Sequence, residues 1–79
     1  MKQNKLVKIT KVLAKNISDM RHDKRMTASE LARQIGVTRQ FVYNIENELS
    51  WITLDKVEKI AEVFGVEQHE LFIPPKEVT

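Results

Sequence analysis

The amino-acid sequence predicts a single all-α domain of about five short helices, and three observations predict it. Apolar residues recur at spacings of three and four through most of the chain. Hydroxyl residues stand where such runs begin, and glycines where two of them end. No segment alternates apolar and polar residues for long enough to make a strand. The 79 residues, 42% of them apolar, suffice for one small core, since a chain of this size buries only about 60% of its unfolded surface. One domain over residues 1–79 is expected, with a short tail at 74–79.

Leu6, Ile9, Leu13, Ile17 and Met20 form a buried stripe on a first helix from about Lys5 to Arg21. Asp23 to Met26 lacks that periodicity and reads as a connection. Thr27-Ala28-Ser29-Glu30 has the capping-box order. In that motif the hydroxyl accepts from the amide of Glu30, and the carboxylate reaches back to the amide of Thr27. Leu31, Ala32 and Ile35 face inward on this second helix, which stops at Gly36, where positive φ costs nothing. Only Val37 separates that glycine from the next cap, Thr38. A third helix runs from Arg39 to about Asn47, with Val42, Ile45 and Leu49 inward. Thr53 caps a fourth, whose stripe is Leu54, Val57, Ile60, Ala61 and Phe64 and whose stop is Gly65. A last short turn or helix, Glu67 to Phe72, docks Leu71 and Phe72. Pro74-Pro75 then ends the ordered fold.

Composition excludes several function classes. There is no cysteine, which rules out disulfides, thiolate metal sites and a cysteine nucleophile. No apolar run exceeds three residues, as at Val12-Leu13-Ala14 and Leu71-Phe72-Ile73. A membrane span needs about 20 and a signal-peptide core about 7–15, so a cytoplasmic protein with no membrane partner is expected. A domain this small has little room for both a core and a pre-organised cleft, so no enzyme is expected. His22 and His69 stand far apart, and neither has a second ligand three or four residues on. No metal or cofactor is expected. Glycine-rich phosphate loops and a nucleophile elbow are absent. Glu58, Glu62, Glu67 and Glu70 read as solvent-facing, and Met20 and Met26 as core filler.

Charge is unevenly placed. Residues 1–25 carry eight Lys or Arg against Asp19 and Asp23, whereas residues 26–79 carry five basic groups against nine acidic ones. A basic front and an acidic back suit a chain that offers one face to a polyanion, although a solvated charged surface reads the same way. Lys2, Lys5, Lys8, Lys11 and Lys15 cannot all share one helical face, so a subset, Lys5 and Lys8, is expected to touch phosphate.

The second and third helices carry most information. Two short helices joined through a glycine turn make a helix-turn-helix, here about residues 27–47. Ala32 is small enough for two steeply crossing helices to approach closely. Val37, Val42 and Ile45 then hold the third helix against the others. Thr38, Arg39, Gln40, Tyr43 and Asn44 remain on its outside. Hydrogen-bonding residues on the outer face of a short helix held clear of the core are what a major groove admits.

The run Leu31-Ala32-Arg33-Gln34-Ile35-Gly36-Val37-Thr38-Arg39-Gln40-Phe41-Val42-Tyr43-Asn44-Ile45-Glu46-Asn47 closely resembles the core of the Cro/phage-repressor (XRE-like) helix-turn-helix family. The likeness continues through Leu54 to Val66 and on to Glu70-Leu71-Phe72, and it covers roughly residues 16–73. It implies a compact five-helix lambda-repressor-like DNA-binding domain, sequence-specific binding by homodimers and transcriptional control. The resemblance makes Thr38, Arg39, Gln40, Tyr43 and Asn44 the base readers of double-stranded DNA. Arg39 suits guanine O6 and N7, and Gln40 or Asn44 suits adenine N6 and N7. It also implies a structural ion pair between Arg21 and Glu46, which would lock the recognition helix to the scaffold.

Three departures from the family pattern are visible. Ala28 replaces a glutamine that holds a phosphate and braces the third helix. That anchor then falls to Ser29, Thr38 or a helix-terminal amide, and Thr27 is expected to touch phosphate beside Ser29. Glu48 replaces a glycine, so Asn47 is expected to make the left-handed exit from the third helix. Ile52, preceded by Trp51, replaces a proline, and Phe41 is bulkier than usual. Arg39-Gln40-Phe41-Val42 and Trp51-Ile52-Thr53-Leu54 resemble the controller proteins of restriction–modification systems, which regulate their own operon.

One recognition helix reads about four base pairs, so the family pairs two copies on half-sites about 34 Å apart. Trp51, Ile52, Val63, Val66 and Ile73 are apolar beyond what the fourth helix's stripe needs, and they are the expected dimer contact. Trp51 equally suits a loop that caps the core. The expected partners are double-stranded DNA and a second copy, with RNA polymerase a further candidate. The alternative is a protein-interaction module on the same fold, such as an antitoxin or a bridging co-activator. The few residues from Pro74 to Thr79 count against a bridging role.

Overall fold

Capping signals and apolar spacing convert directly into helices in the computed structural model, which describes residues 8–75. Four α-helices run from Ile9–Asp23 (α1), Ala28–Ile35 (α2), Arg39–Glu46 (α3) and Leu54–Phe64 (α4), followed by a 3-10 helix over Gln68–Phe72. No strand occurs among the described residues. The fifth element is thus a 3-10 helix rather than an α-helix. The α1 helix starts at Ile9, after an extended Lys8, rather than near Lys5, and continues to Asp23, past the expected end at Arg21; Lys5 and Leu6 lie outside the described residues.

The capping box at α2 is complete. Glu30 N donates to Thr27 Oγ1 at 3.0 Å, and Thr27 N donates to Glu30 Oε1 at 2.7 Å. These bonds hold the Glu30 carboxyl below the usual carboxylate range, mainly through the Thr27 amide. Thr38 Oγ1 likewise accepts from Phe41 N at the start of α3. Thr53 occupies the N-cap of α4, but its hydroxyl does not cap. It donates instead to the Asp55 carboxylate, which lowers the Asp55 pKa.

All four α-helices end the same way. A residue in the left-handed region follows each one: Arg25 (φ 55°), Gly36 (φ 76°), Glu48 (φ 61°) and Gly65 (φ 71°). The next amide reaches back five residues: Met26 N to Arg21 O, Val37 N to Ala32 O, Leu49 N to Asn44 O and Val66 N to Ala61 O. This closes the last carbonyls that a helix leaves unpaired. Asn47 therefore does not make the exit from α3. Its φ is −111°, and its Nδ2 donates to Tyr43 O at 2.8 Å, which leaves the left-handed position to Glu48.

The core is formed by Leu13 and Ile17 of α1, Leu31, Ala32 and Ile35 of α2, Val42 and Ile45 of α3, Val57, Ile60, Ala61 and Phe64 of α4, and Leu71. Each large side chain sealed there stabilises the fold by about 1.5–3 kcal/mol. Three residues expected inward are exposed, Ile9, Leu49 and Leu54, the last at 78%, and Met20 and Phe72 are only half-buried against the core. Ile9 and Leu54 occupy first helical positions, where no neighbouring helix covers them, and Leu49 lies beyond the end of α3. Val12 and Ala14 of α1 are buried besides the expected stripe.

One polar side chain is buried in α1. Asn16 spends both amide hydrogens on the carbonyls of Leu71 (2.8 Å) and Ile73 (2.9 Å). These bonds tie the end of the 3-10 helix to the middle of α1 and leave no buried side-chain donor unpaired among the described residues.

Candidate nucleic-acid interface

The α2 and α3 helices pack against each other through Leu31, Ala32, Ile35, Val42 and Ile45. This fixes which face of α3 points out. Thr38, Arg39, Gln40 and Tyr43 are exposed there, and Asn44 is half-buried. The Thr38 oxygen is engaged in the cap and Gln40 Nε2 donates to Asn44 Oδ1 at 3.0 Å, so three of the five carry local bonds. A shallow cleft lined by Arg21, Ala28, Arg39, Gln40, Tyr43 and Glu46 opens between the start of α2 and this face. Half-buried Ala28 contributes no polar group to it. Thr27 and Ser29, exposed at the start of α2, flank it in sequence.

Arg21 closes the floor of that cleft. Its Nε donates to Glu46 Oε2 at 2.7 Å, one terminal nitrogen to Glu46 Oε1 at 3.0 Å, and the other to Met26 O at 2.8 Å. The bidentate fork joins the end of α1 to the end of α3, and the third bond fixes the turn that leads into α2. Both side chains are mostly shielded from water, so the pair is screened little by salt. The Glu46 carboxylate raises the Arg21 pKa through this hydrogen bonding, against the opposing effect of burial. Arg21 is thereby committed to the scaffold.

Of the two lysines expected to touch phosphate, only Lys8 is among the described residues, and it lies elsewhere. Lys8 is exposed at the N-cap of α1 and lines a separate groove with Ile9, Thr10, Glu48, Leu49, Ser50 and Trp51. That groove shares no residue with the cleft beside α3. Lys5 lies outside the described residues. Among the apolar residues expected to pair two copies, Trp51 (79%) and Ile73 are exposed. Ile52, Val63 and Val66 are half-buried against the core. Leu49 and Leu54, read from the sequence as core, add to the exposed apolar surface near Trp51 in sequence.

A helix-turn-helix family model matches residues 17–71 of the chain, which takes in α2, the Gly36 turn, α3 and α4. The chain belongs to the helix-turn-helix family, of the Cro/phage-repressor type. A hypothetical transcription factor from Neisseria meningitidis serogroup B is 39% identical over 66 residues, spanning 84% of this chain and 62% of that protein. The chain thus covers less than two thirds of that relative's length. The crystal structure of the Neisseria factor superposes with a TM-score of 0.82 at 38% identity, over 87% of this chain and 78% of that one. SinR in its complex with SinI gives a TM-score of 0.75 at 28% identity, over 85% of this chain and 66% of that one. A substrate complex of cobalt HppE gives 0.77 at 29% identity, but the match covers only 38% of that chain. Among the described residues no helix is long and apolar enough to cross a membrane.

Proposed function

We propose that this chain is a sequence-specific, non-enzymatic transcriptional regulator of the cytoplasm that binds a near-palindromic operator as a homodimer. One observation carries the reading. The Arg21–Glu46 fork and the α2–α3 core hold α3 so that Arg39, Gln40 and Tyr43 stand exposed on one side of the domain. Arg39 pairs with guanine, and a carboxamide of the Gln40–Asn44 pair reads adenine. Thr27, Ser29 and Lys8, with Lys5, hold phosphates and set the register. Trp51 and Ile73, with the half-buried Ile52, Val63 and Val66, form the two-fold contact, which must present the same patch from both copies. A narrower reading makes the chain a restriction–modification controller acting on its own operon, with RNA polymerase as a further partner. It rests on the motif around Phe41 and on Trp51-Ile52-Thr53-Leu54.

The test is fluorescence anisotropy on the duplex upstream of the chain's own gene, titrated at two salt concentrations. Tight, salt-sensitive binding that exceeds binding to scrambled DNA is expected, and equal affinity for both would sink the reading. A second reading, a protein-interaction module, draws on the SinR–SinI complex and on the exposure of Trp51. It predicts capture of a protein partner that Trp51→Ala abolishes while DNA binding persists.

A further inference from the structure

On the reading that α3 enters the major groove, we infer that Gln40 is the adenine reader and that Asn44 is a positioning residue that holds Gln40's carboxamide. The two lie one helical turn apart, and Gln40 Nε2 donates to Asn44 Oδ1 at 3.0 Å. A carboxamide nitrogen carries two hydrogens. Adenine uses the edge made by the oxygen and the hydrogen beside it, which meet N6–H and N7 respectively. The other hydrogen takes no part in that edge, so Gln40 can give it to Asn44 and keep the whole reading edge. Asn44 is in the opposite position. Its oxygen, the atom that would meet adenine N6–H, already accepts from Gln40, and its side chain is half-buried where Gln40 is exposed.

The bond does a second thing. A glutamine with no partner turns its amide plane at little cost, because the terminal torsion is broad and two-fold. A half-turn would set a donor against the adenine amino group. With Oδ1 of Asn44 accepting, only the orientation that places Nε2 toward Asn44 keeps the bond. While Asn44 presents Oδ1, as it does here, it therefore favours one reading orientation of Gln40, and that ordering is done before DNA arrives. The two residues are one reading unit that specifies one base pair per half-site.

The experiment selects duplexes with 20 variable base pairs on the wild-type protein. The consensus is then assayed by anisotropy with Gln40→Ala, Asn44→Ala, the double variant, Asn44→Asp and Arg39→Ala, and each variant is reselected. Gln40→Ala is expected to lose on the order of 10–100-fold discrimination for adenine at one position. Asn44→Ala relaxes that same position and no other, and the double variant falls no further than Gln40→Ala alone. Asn44→Asp keeps the accepting oxygen, so it retains the adenine preference while its charge weakens binding to every sequence. Additive losses, an Asn44 effect at a different base, or a uniform loss that tracks thermal stability would overturn the inference. If Arg39→Ala also leaves every affinity unchanged, the groove placement of α3 itself fails, and the pair with it.

Discussion

At the scale of single residues, the exposed arginine at the start of α3 makes the sharpest prediction. Arg39→Ala should cost about 1–3 kcal/mol of operator affinity and relax base preference at one position. Selection and anisotropy with the variant check this, and wild-type binding would mean that α3 does not face the bases. Glu48 offers a test that needs no DNA. Its φ of 61° costs a side-chain-bearing residue about 1–2 kcal/mol, against about 0.5–1 kcal/mol of chain entropy for glycine. Glu48→Gly should therefore stabilise the fold by about 0.5–1 kcal/mol, read as a higher urea midpoint with an unchanged slope. The sequence pointed to Asn47 because asparagine tolerates the left-handed region. The choice was made instead by a hydrogen bond between Leu49 N and Asn44 O, which fixes where the helix closes and is invisible in intrinsic preferences.

At the scale of elements, the Arg21–Glu46 fork sets how α1 and α3 are joined. Glu46→Ala leaves a guanidinium with little access to water and no counter-charge, and should destabilise the fold by about 3 kcal/mol. Chemical denaturation measures that directly, and a loss under 1 kcal/mol would show the fork to be incidental. The α2 cap carries a pH signature. The Glu30 carboxyl has its pKa lowered in the fold, so its contribution is present above the usual carboxylate pKa of about 4.3 and is lost as pH falls through the folded value. Glu30→Gln can still complete the box but cannot titrate. It should leave stability at pH 7 nearly unchanged and flatten the decline below about pH 4. The starts of α2, α3 and α4, and the inward faces of α2 and of α3 as far as Ile45, were legible because caps and spacing are local. The exposure of Ile9 and Leu54 was not, since periodicity says which face is apolar but not how far the neighbouring helix extends. Asn16 was hidden for a related reason: its partners are carbonyls 55 and 57 residues away.

At the scale of the whole molecule, the charge division predicts behaviour in salt and in solution. Several phosphate contacts from a basic front release counterions, so log affinity should fall steeply with log salt concentration. Neutralising Lys5 and Lys8 should make that slope shallower and weaken specific and non-specific DNA alike. A loss confined to the operator would mean that these lysines read bases. The dimer reading predicts a two-chain mass in sedimentation at micromolar concentration, shifted to a monomer by Trp51→Ala. A monomeric wild type would remove it. Of the five apolar residues the sequence set aside for that contact, Ile52, Val63 and Val66 turn out to close the edge of the core as well. A small domain has too few apolar side chains to reserve one set for each purpose.

The four identical helix endings make the chain its own reference standard. Each uses the same backward reach of five residues and nearly the same dihedral, yet two positions hold glycine and two hold long charged side chains. Comparing alanine with glycine at each of positions 25, 36, 48 and 65 would measure the cost of a β-carbon in this conformation four times, with solvent and overall architecture held constant. Beyond the adjoining residues nothing lies within 4 Å of where a β-carbon would sit at Gly36 or Gly65, so the values there report local backbone strain with no clash against the rest of the fold mixed in. A spread among the four numbers would then measure how much the surrounding helices, rather than the dihedral itself, set the cost of reversing the chain.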